Sequence, residues 1–252
     1  MKFADAVAFA GHQVHVCRYR EAGALLRWLG GDLRGMRLLD VAGGDGYWAG
    51  QARRRGAAAV CLDLARPKLL RGSRLAGAPA LVQGDALVLP FADESFDRVM
   101  SICAIEHFDD GGQALSEIAR VLVPGGELVM SADALTRAQE WPELYRAHCE
   151  RYHVKQTYTH DRLTGMLRDR GLDVAEYAYQ FRTRWSERLY LSLSAHGGRT
   201  GFNAAAGLAP LVAAGDRGAP NDRGALVLIR ARRRPAGGDA VPAAGVSSAA
   251  AP

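Results

Sequence analysis

Lysine is nearly missing from this chain of 252 residues, standing only at positions 2, 68 and 155. Arginine supplies the rest of the 32 basic side chains, which against 27 acidic ones leave a net charge of +5. That excess is dispersed along the chain, whereas a surface that tracks phosphates needs its charge clustered on one face. The composition therefore reads as arginine-rich rather than as a nucleic-acid interface. Cysteine is also scarce. Cys17, Cys61, Cys103 and Cys149 are spread evenly and none forms a CxxC pair. That spacing excludes a zinc framework and a disulfide scaffold, and it suits a reducing cytoplasm. No apolar run approaches the ~20 residues of a membrane helix, so stable membrane insertion is not expected. The start, MKFADAVAFAG, is interrupted by Asp5 and reads as mature protein rather than an export signal.

What is present is a rhythm. Residues 1–34 read as an N-terminal helical segment, with Ala22, Leu25, Leu26 and Leu29 on one face and Gly30-Gly31 as its stop. From 36 onward, short apolar runs at 36–43, 58–63, 80–85, 96–104 and 126–133 alternate with amphipathic helical pieces. Gly56 is placed to end the helix at 47–55, and Pro67 to open the next. Such alternation predicts a parallel sheet of βαβ units. The rhythm breaks at 134–158, returns with a helix at 160–170 and a strand at 173–181, and breaks again at 182–223. A last strand is predicted at 225–232. The Pro/Gly/Ala/Ser-rich tail 233–252 lacks apolar surface to offset its chain entropy and is expected to be disordered.

The strongest local signal is LLDVAGGDGYW at 38–48: a strand, an acidic residue, a glycine-rich turn and a helix. Glycines in such a turn let the backbone approach a ligand. In an open α/β sheet, ligands bind beyond the carboxyl ends of the strands. Asp63 follows Gly46 by 17 residues, a spacing at which a carboxylate accepts ribose hydroxyls in dinucleotide folds. Asp85 ends the third run. Three acids, Asp40, Asp63 and Asp85, thus converge on one edge. They would repel a phosphate and favour a ligand with a ribose, an exocyclic amine and a cationic centre. That profile points away from NAD and toward S-adenosylmethionine.

At these residues the chain resembles the class I S-adenosylmethionine-dependent methyltransferases. LLDVAGGDG resembles the family's first motif, with Ala42 where a glycine is usual and Gly44 and Gly46 matching. VCLDLA resembles the ribose-binding acidic motif at Asp63 and Leu64. GDALVLPFADESFDRVMSICAIEHFDD and ALSEIARVLVPGGELVMSAD resemble the adenine-binding stretch and the fourth and fifth strands. The resemblance covers roughly 16–232. It implies a doubly wound, Rossmann-like α/β fold: a seven-stranded sheet, mostly parallel, with an antiparallel last strand. The methyltransferase domain is expected over 35–232, with acceptor-side inserts at 134–158 and 182–223. The resemblance also implies that Asp40 lies near the methionine end of the cofactor. Asp63 would hold the ribose, Asp85 and the Ala86 N–H the adenine, and the backbone to Cys103 would flank the ligand. Arg18 and Arg20 are candidates for the methionine carboxylate.

A hydroxyl or ammonium acceptor must lose its proton during transfer, and neutral histidine is the usual acceptor near pH 7. His107 follows the fourth strand and Asp133 ends the fifth, its neighbour. The segments AIEHFDD and VMSAD resemble those of sugar O-methyltransferases of natural-product pathways, where a His and an Asp at these places serve catalysis. His107 and Asp133 are therefore the candidate catalytic pair, with Glu106 as an alternative base. His148, Tyr152, His153, Tyr158, His160 and Asp161 lack the regular spacing of a metal site, so no metal is expected. The expected function is methyl transfer to a small molecule, on a hydroxyl of a sugar-bearing or other secondary metabolite. N- or C-methylation of a small molecule or lipid, RNA methylation, and a silent cofactor-binding partner are the alternatives.

Overall fold

A computed structural model describes residues 16–74, 77–235 and 247–248. Of the expected N-terminal helix, α1 spans Val16–Trp28, and residues 1–15 lie outside the described residues. So does most of the tail expected to be disordered. Arg233 belongs to the last long strand, and Ser247–Ser248 pair with a sheet edge.

Seven strands form the sheet: β1 (Arg37–Val41), β2 (Ala58–Asp63), β3 (Ala80–Gln83), β4 (Phe96–Ile102), β5 (Leu122–Asp133), β6 (Leu172–Gln180) and β7 (Leu226–Arg233). Their order is β3-β2-β1-β4-β5-β7-β6, and a two-residue β8 (Ser247–Ser248) pairs in parallel with β6. All neighbours run parallel except around β7, which is antiparallel to both β5 and β6. The order reverses between β1 and β4, which is where an open α/β sheet leaves its ligand crevice.

The helices follow from local chemistry. In α2 (Tyr47–Arg54), Gly46 precedes the first turn with φ 77°, and Gly56 follows the end with φ 99°. Pro67 occupies the first turn of α3 (Arg66–Gly72). Asp110 caps α4 (Gly111–Val121) by accepting the Gln113 N–H at 2.9 Å. Along each strand, successive side chains enter opposite cores. Leu38, Met100 and Val129 join α1 and α2 on one face, and Leu39, Val99 and Leu128 join α4 on the other.

The two rhythm breaks are helical. The first insert contains α5 (Pro142–Tyr152), and α6 (His160–Arg168) follows it. The second contains α7 (Arg184–Ser192), a π-turn at Leu193–Gly197, α8 (Gly198–Ala204) and α9 (Ala209–Gly218). Thr183 and Ser186 form a capping box that starts α7. The first insert is tied to the strand ends: Tyr158 N–H donates to Asp133 O at 2.9 Å, and Lys155 N–H to Glu106 O at 2.8 Å. The second meets the same edge through Tyr190, whose Oη donates to Asp133 at 3.0 Å.

Candidate active site

Backbone strain gathers at that edge. Of the non-glycine residues with positive φ, Ala42 (57°), Cys103 (43°), Leu135 (44°) and Phe181 (58°) follow β1, β4, β5 and β6. Such strain persists where the surroundings over-determine it, which is common at binding sites.

A groove of about 490 Å³ opens beyond β1 and β4, lined by the glycine-rich turn, Asp40, Trp48, Arg18 and Cys103. Gly44 takes φ 65°, and a Cβ on Gly43 would stand 2.5 Å from the Asp40 carboxylate and 2.8 Å from Cys61 Sγ. Gly43 is thus a packing glycine that the motif reading passed over. Asp40 is buried, and its carboxylate has no side-chain hydrogen-bond partner, the Ala49 N–H being the backbone group directed at it. Burial, with Asp63 and Asp45 nearby, pushes its pKa up to about 8. A cation in the groove would bring that carboxyl back into its ionised form, so the donor set suits a cationic ligand.

Asp63 is also buried. Its oxygens accept the Gly44 and Ala65 N–H groups, each at 2.8 Å, and Lys68 Nζ lies 3.8 Å away. Asp85 is exposed and accepts the Leu87 N–H at 2.9 Å, Ala86 beside it is buried, and Leu64 is exposed; none of the three lines the groove. Cys103 is held twice: its N–H donates to Ser131 Oγ at 3.1 Å and its thiol to Glu21 Oε1 at 3.0 Å. Glu21 also takes Arg18 Nη1 at 2.7 Å, so α1 is latched to the end of β4. Arg18 lines the groove. Arg20 points elsewhere, pairing with Asp216 at 2.6 Å and lying over the Phe181 ring.

Next to the groove is a smaller polar chamber lined by Glu106, His107, Asp133, His148 and Tyr190. Arg18, Cys103 and Tyr152 line both spaces. His107 and Asp133 face one chamber, but no hydrogen bond joins them. Asp133 accepts from His148 Nε2 at 2.7 Å and from Tyr190 Oη at 3.0 Å. Burial pushes the Asp133 pKa upward, and the His148 and Tyr190 hydrogen bonds with the nearby Arg18 charge outweigh it, leaving it below the usual value. Ser194 Oγ lies 2.8 Å from His148 Nδ1, so both nitrogens of that ring are engaged. His107 differs. Its Nδ1 lies 3.5 Å from the His153 carbonyl and its Nε2 lies 4.0 Å from Glu106 Oε1, beyond hydrogen-bonding reach. Burial lowers its pKa below 6.5, opposed by the Asp133 charge. Glu106 is buried with Oε2 unpartnered. Its carboxyl is raised well above the ordinary range, first by burial and then by Asp133.

In the sequence, His148 figures only within a His/Tyr/Asp cluster that lacks the spacing of a metal site, and is given no catalytic role. Its helix and Asp133 are joined by the fold, and the 15-residue separation carries no motif. Cys103, Glu106 and Asp133 bring three metal-capable atoms within 4.8 Å of one another. The Cys103 thiol and both Asp133 oxygens are already engaged by protein groups. Among the described residues no helix is long and apolar enough to cross a membrane.

Comparison with known proteins agrees with this architecture. The methyltransferase domain family matches residues 39–130. Over 115 residues the chain is 42% identical to the ubiquinone/menaquinone biosynthesis C-methyltransferase of Dinoroseobacter shibae, covering 42% of this chain and 46% of that protein. It is 31% identical over 159 residues to the malonyl-[acyl-carrier protein] O-methyltransferase of Pseudescherichia vulneris, covering 62% and 63%. The chain spans about half the length of the curated relatives it matches first. The structure of Haemonchus contortus phosphoethanolamine N-methyltransferase 2 in complex with S-adenosyl-L-methionine aligns with a TM-score of 0.60 at 19% identity, over 86% of this chain and 53% of that one. The chain has the fold of the S-adenosylmethionine-dependent methyltransferases, and its residues 39–130 match the methyltransferase domain family.

Proposed function

We propose that this protein transfers a methyl group from S-adenosylmethionine to an oxygen of a small molecule, a hydroxyl of a sugar-bearing or other secondary metabolite. The observation that carries the reading is the junction at Arg18, Cys103 and Tyr152, where the groove meets a polar chamber containing an imidazole with a free nitrogen. The cofactor, when bound, supplies a methyl on a sulfonium, which leaves readily, so positioning provides much of the rate.

In this reading Asp40 pairs with the cofactor's ammonium group, and the turn at Ala42, Gly44 and Gly46 packs against it. Asp63 accepts the ribose hydroxyls, Leu64 packs beside the adenosine, Asp85 and the Ala86 N–H receive the adenine edge, and Cys103 borders the methionine end. Arg18 meets the methionine carboxylate. His107 takes the acceptor's proton on Nε2 as the carbon–oxygen bond forms. Asp133, fixed by His148 and Tyr190, stabilises the resulting imidazolium through space rather than by a direct hydrogen bond. His148 is less suited to the proton because neither ring nitrogen is open.

The quinone C-methyltransferase relative favours a second reading, in which the nucleophile is a carbon and His107 removes a carbon-bound proton. Calorimetry with S-adenosylhomocysteine tests the cofactor half of the proposal, with micromolar binding expected. Screening acceptors for a +14 Da product tests the other half, and NMR of the product separates O- from C-methylation. No binding by folded protein would end the proposal.

A further inference from the structure

The polar chamber holds only about 30 Å³, room for a hydroxyl or a single water, so the body of a methyl acceptor must lie in the adjoining groove of about 490 Å³. The cations of that groove pair off with acids one by one. Arg18 meets Glu21 at 2.7 Å, Lys68 lies 3.8 Å from Asp63, and Arg71 lies 3.5 Å from Asp45. Arg199 of α8 is the exception: among the described residues no carboxylate pairs with it.

The surroundings of Arg199 add a second cation rather than an acid. A Cβ on Gly198 would stand 2.8 Å from the Arg151 guanidinium, so Arg151 of α5 lies against the residue just before Arg199. Arg151 donates to the Ala195 carbonyl at 3.4 Å and has no carboxylate partner among the described residues. The cofactor does not neutralise this pair. S-adenosylmethionine carries an ammonium, a sulfonium and one carboxylate, and is a cation overall. In the proposed pose its carboxylate goes to Arg18 and its ammonium to Asp40. Two guanidinium groups beside a bound cation repel it unless an anion joins them, and a carboxylate meets a guanidinium with two parallel N–H···O bonds.

Tyr152 relates that anion position to the chemistry. It follows Arg151 on α5, lines the groove with Arg199 and lines the chamber with His107. It thus stands between the imidazole of the chamber and the guanidinium of the groove.

We propose that the methyl acceptor is an anion, a small hydroxy acid whose hydroxyl reaches His107 at the mouth of the chamber and whose carboxylate is held by Arg199, with Arg151 adding its charge. This rests on the methyl-transfer reading and adds the charge class of the acceptor.

The test is calorimetric binding of 4-hydroxybenzoate and 4-hydroxyphenylacetate, each against its uncharged amide, to protein saturated with S-adenosylhomocysteine. The carboxylate of that ligand occupies Arg18 and leaves Arg199 to the probe. At least one acid should bind roughly tenfold more tightly than its amide, the scale of a hydrogen bond to a charged group. Arg199→Gln should bring the ratio close to one, and Arg199→Lys should restore part of it. Arg188→Gln removes an equal charge from an exposed position of α7 outside the groove and should leave the ratio alone. Equal binding of acid and amide by the wild type would overturn the proposal. So would a ratio that survives Arg199→Gln, or one that falls equally with Arg188→Gln. Weaker S-adenosylhomocysteine binding by Arg199→Gln with the ratio kept would assign Arg199 to the cofactor instead. Folded protein that binds no S-adenosylhomocysteine would end the methyl-transfer reading and this one with it, whereas S-adenosylhomocysteine binding without a preference for the acid ends this one alone.

Discussion

Asp133 is bonded to His148 at 2.7 Å, although His107 lines the same chamber. The aspartate is buried and Tyr190 completes its coordination. Asp133→Asn leaves His148 without its charged partner and should cost about 3 kcal/mol, as for other broken buried pairs. Urea unfolding measures it. The wild-type aspartate has its pKa below 3.8 in the folded state, so its contribution is present above that value and is lost as pH falls through the folded pKa. The Asn variant should therefore lose less stability than the wild type on acidification below pH 4.

His107→Ala should slow turnover roughly 10²–10⁴-fold while leaving S-adenosylhomocysteine affinity unchanged. Because burial lowers the imidazole pKa, kcat/KM for the acceptor at saturating cofactor should level off at a lower pH than an ordinary imidazole base would give. Near-normal turnover in the variant would leave positioning alone as the mechanism.

Asp63→Ala should weaken cofactor binding by about 1.5–3 kcal/mol, the range for a hydrogen bond to a charged group. The carboxylate also holds the Gly44 and Ala65 N–H groups. Calorimetric affinity equal to that of the wild type would remove Asp63 from the ribose role.

Asp40 has a pKa of about 8 in the free protein, and an ammonium group binds best to its ionised form. Binding of S-adenosylhomocysteine near pH 6.5 should then release a proton, and affinity should rise with pH until about 8. Above that, the ligand's own α-amino group begins to lose its charge. Titrations in buffers of different ionisation enthalpy count the proton. Asp40→Asn should abolish the release attributed to this carboxyl.

Ala42 has φ 57°, a conformation that disfavours a residue with a Cβ by about 1–2 kcal/mol. Glycine regains flexibility in the unfolded chain, which offsets part of the gain. Ala42→Gly should stabilise the protein by about 0.5–1 kcal/mol, read as a rise in Tm of a few degrees.

Where side-chain spacing follows the backbone period, the sequence was informative. Strand ends at Asp63 and Asp133 were readable because each closes an apolar run, and Gly56 and Pro67 mark helix boundaries by backbone chemistry. The sheet's final reversal came with the family resemblance. Residues 134–158 and 182–223 were harder. Their helices are short, and His148, Glu187 and Asp216 are polar residues buried through contacts distant in sequence, with Arg137 and Arg20 among the partners. No periodicity announces such pairs. Arg18 and Arg20 show the same limit: two positions apart on α1, they point to different cavities, and only packing separates them.

Consecutive residues of α7 and the π-turn serve two spaces: Tyr190 and Ser194 line the polar chamber, and Leu189 and Leu193 line an apolar void of about 30 Å³. A shift of α7 and the following π-turn by a single position would exchange Leu193 for Ser194 and Leu189 for Tyr190, putting a hydroxyl in the dry space and a leucyl group beside Asp133. The surroundings of Asp133 can therefore be altered alone only by point changes that leave the helical register intact. Loop insertions that rotate these helices would disturb the polar chamber and the apolar packing together.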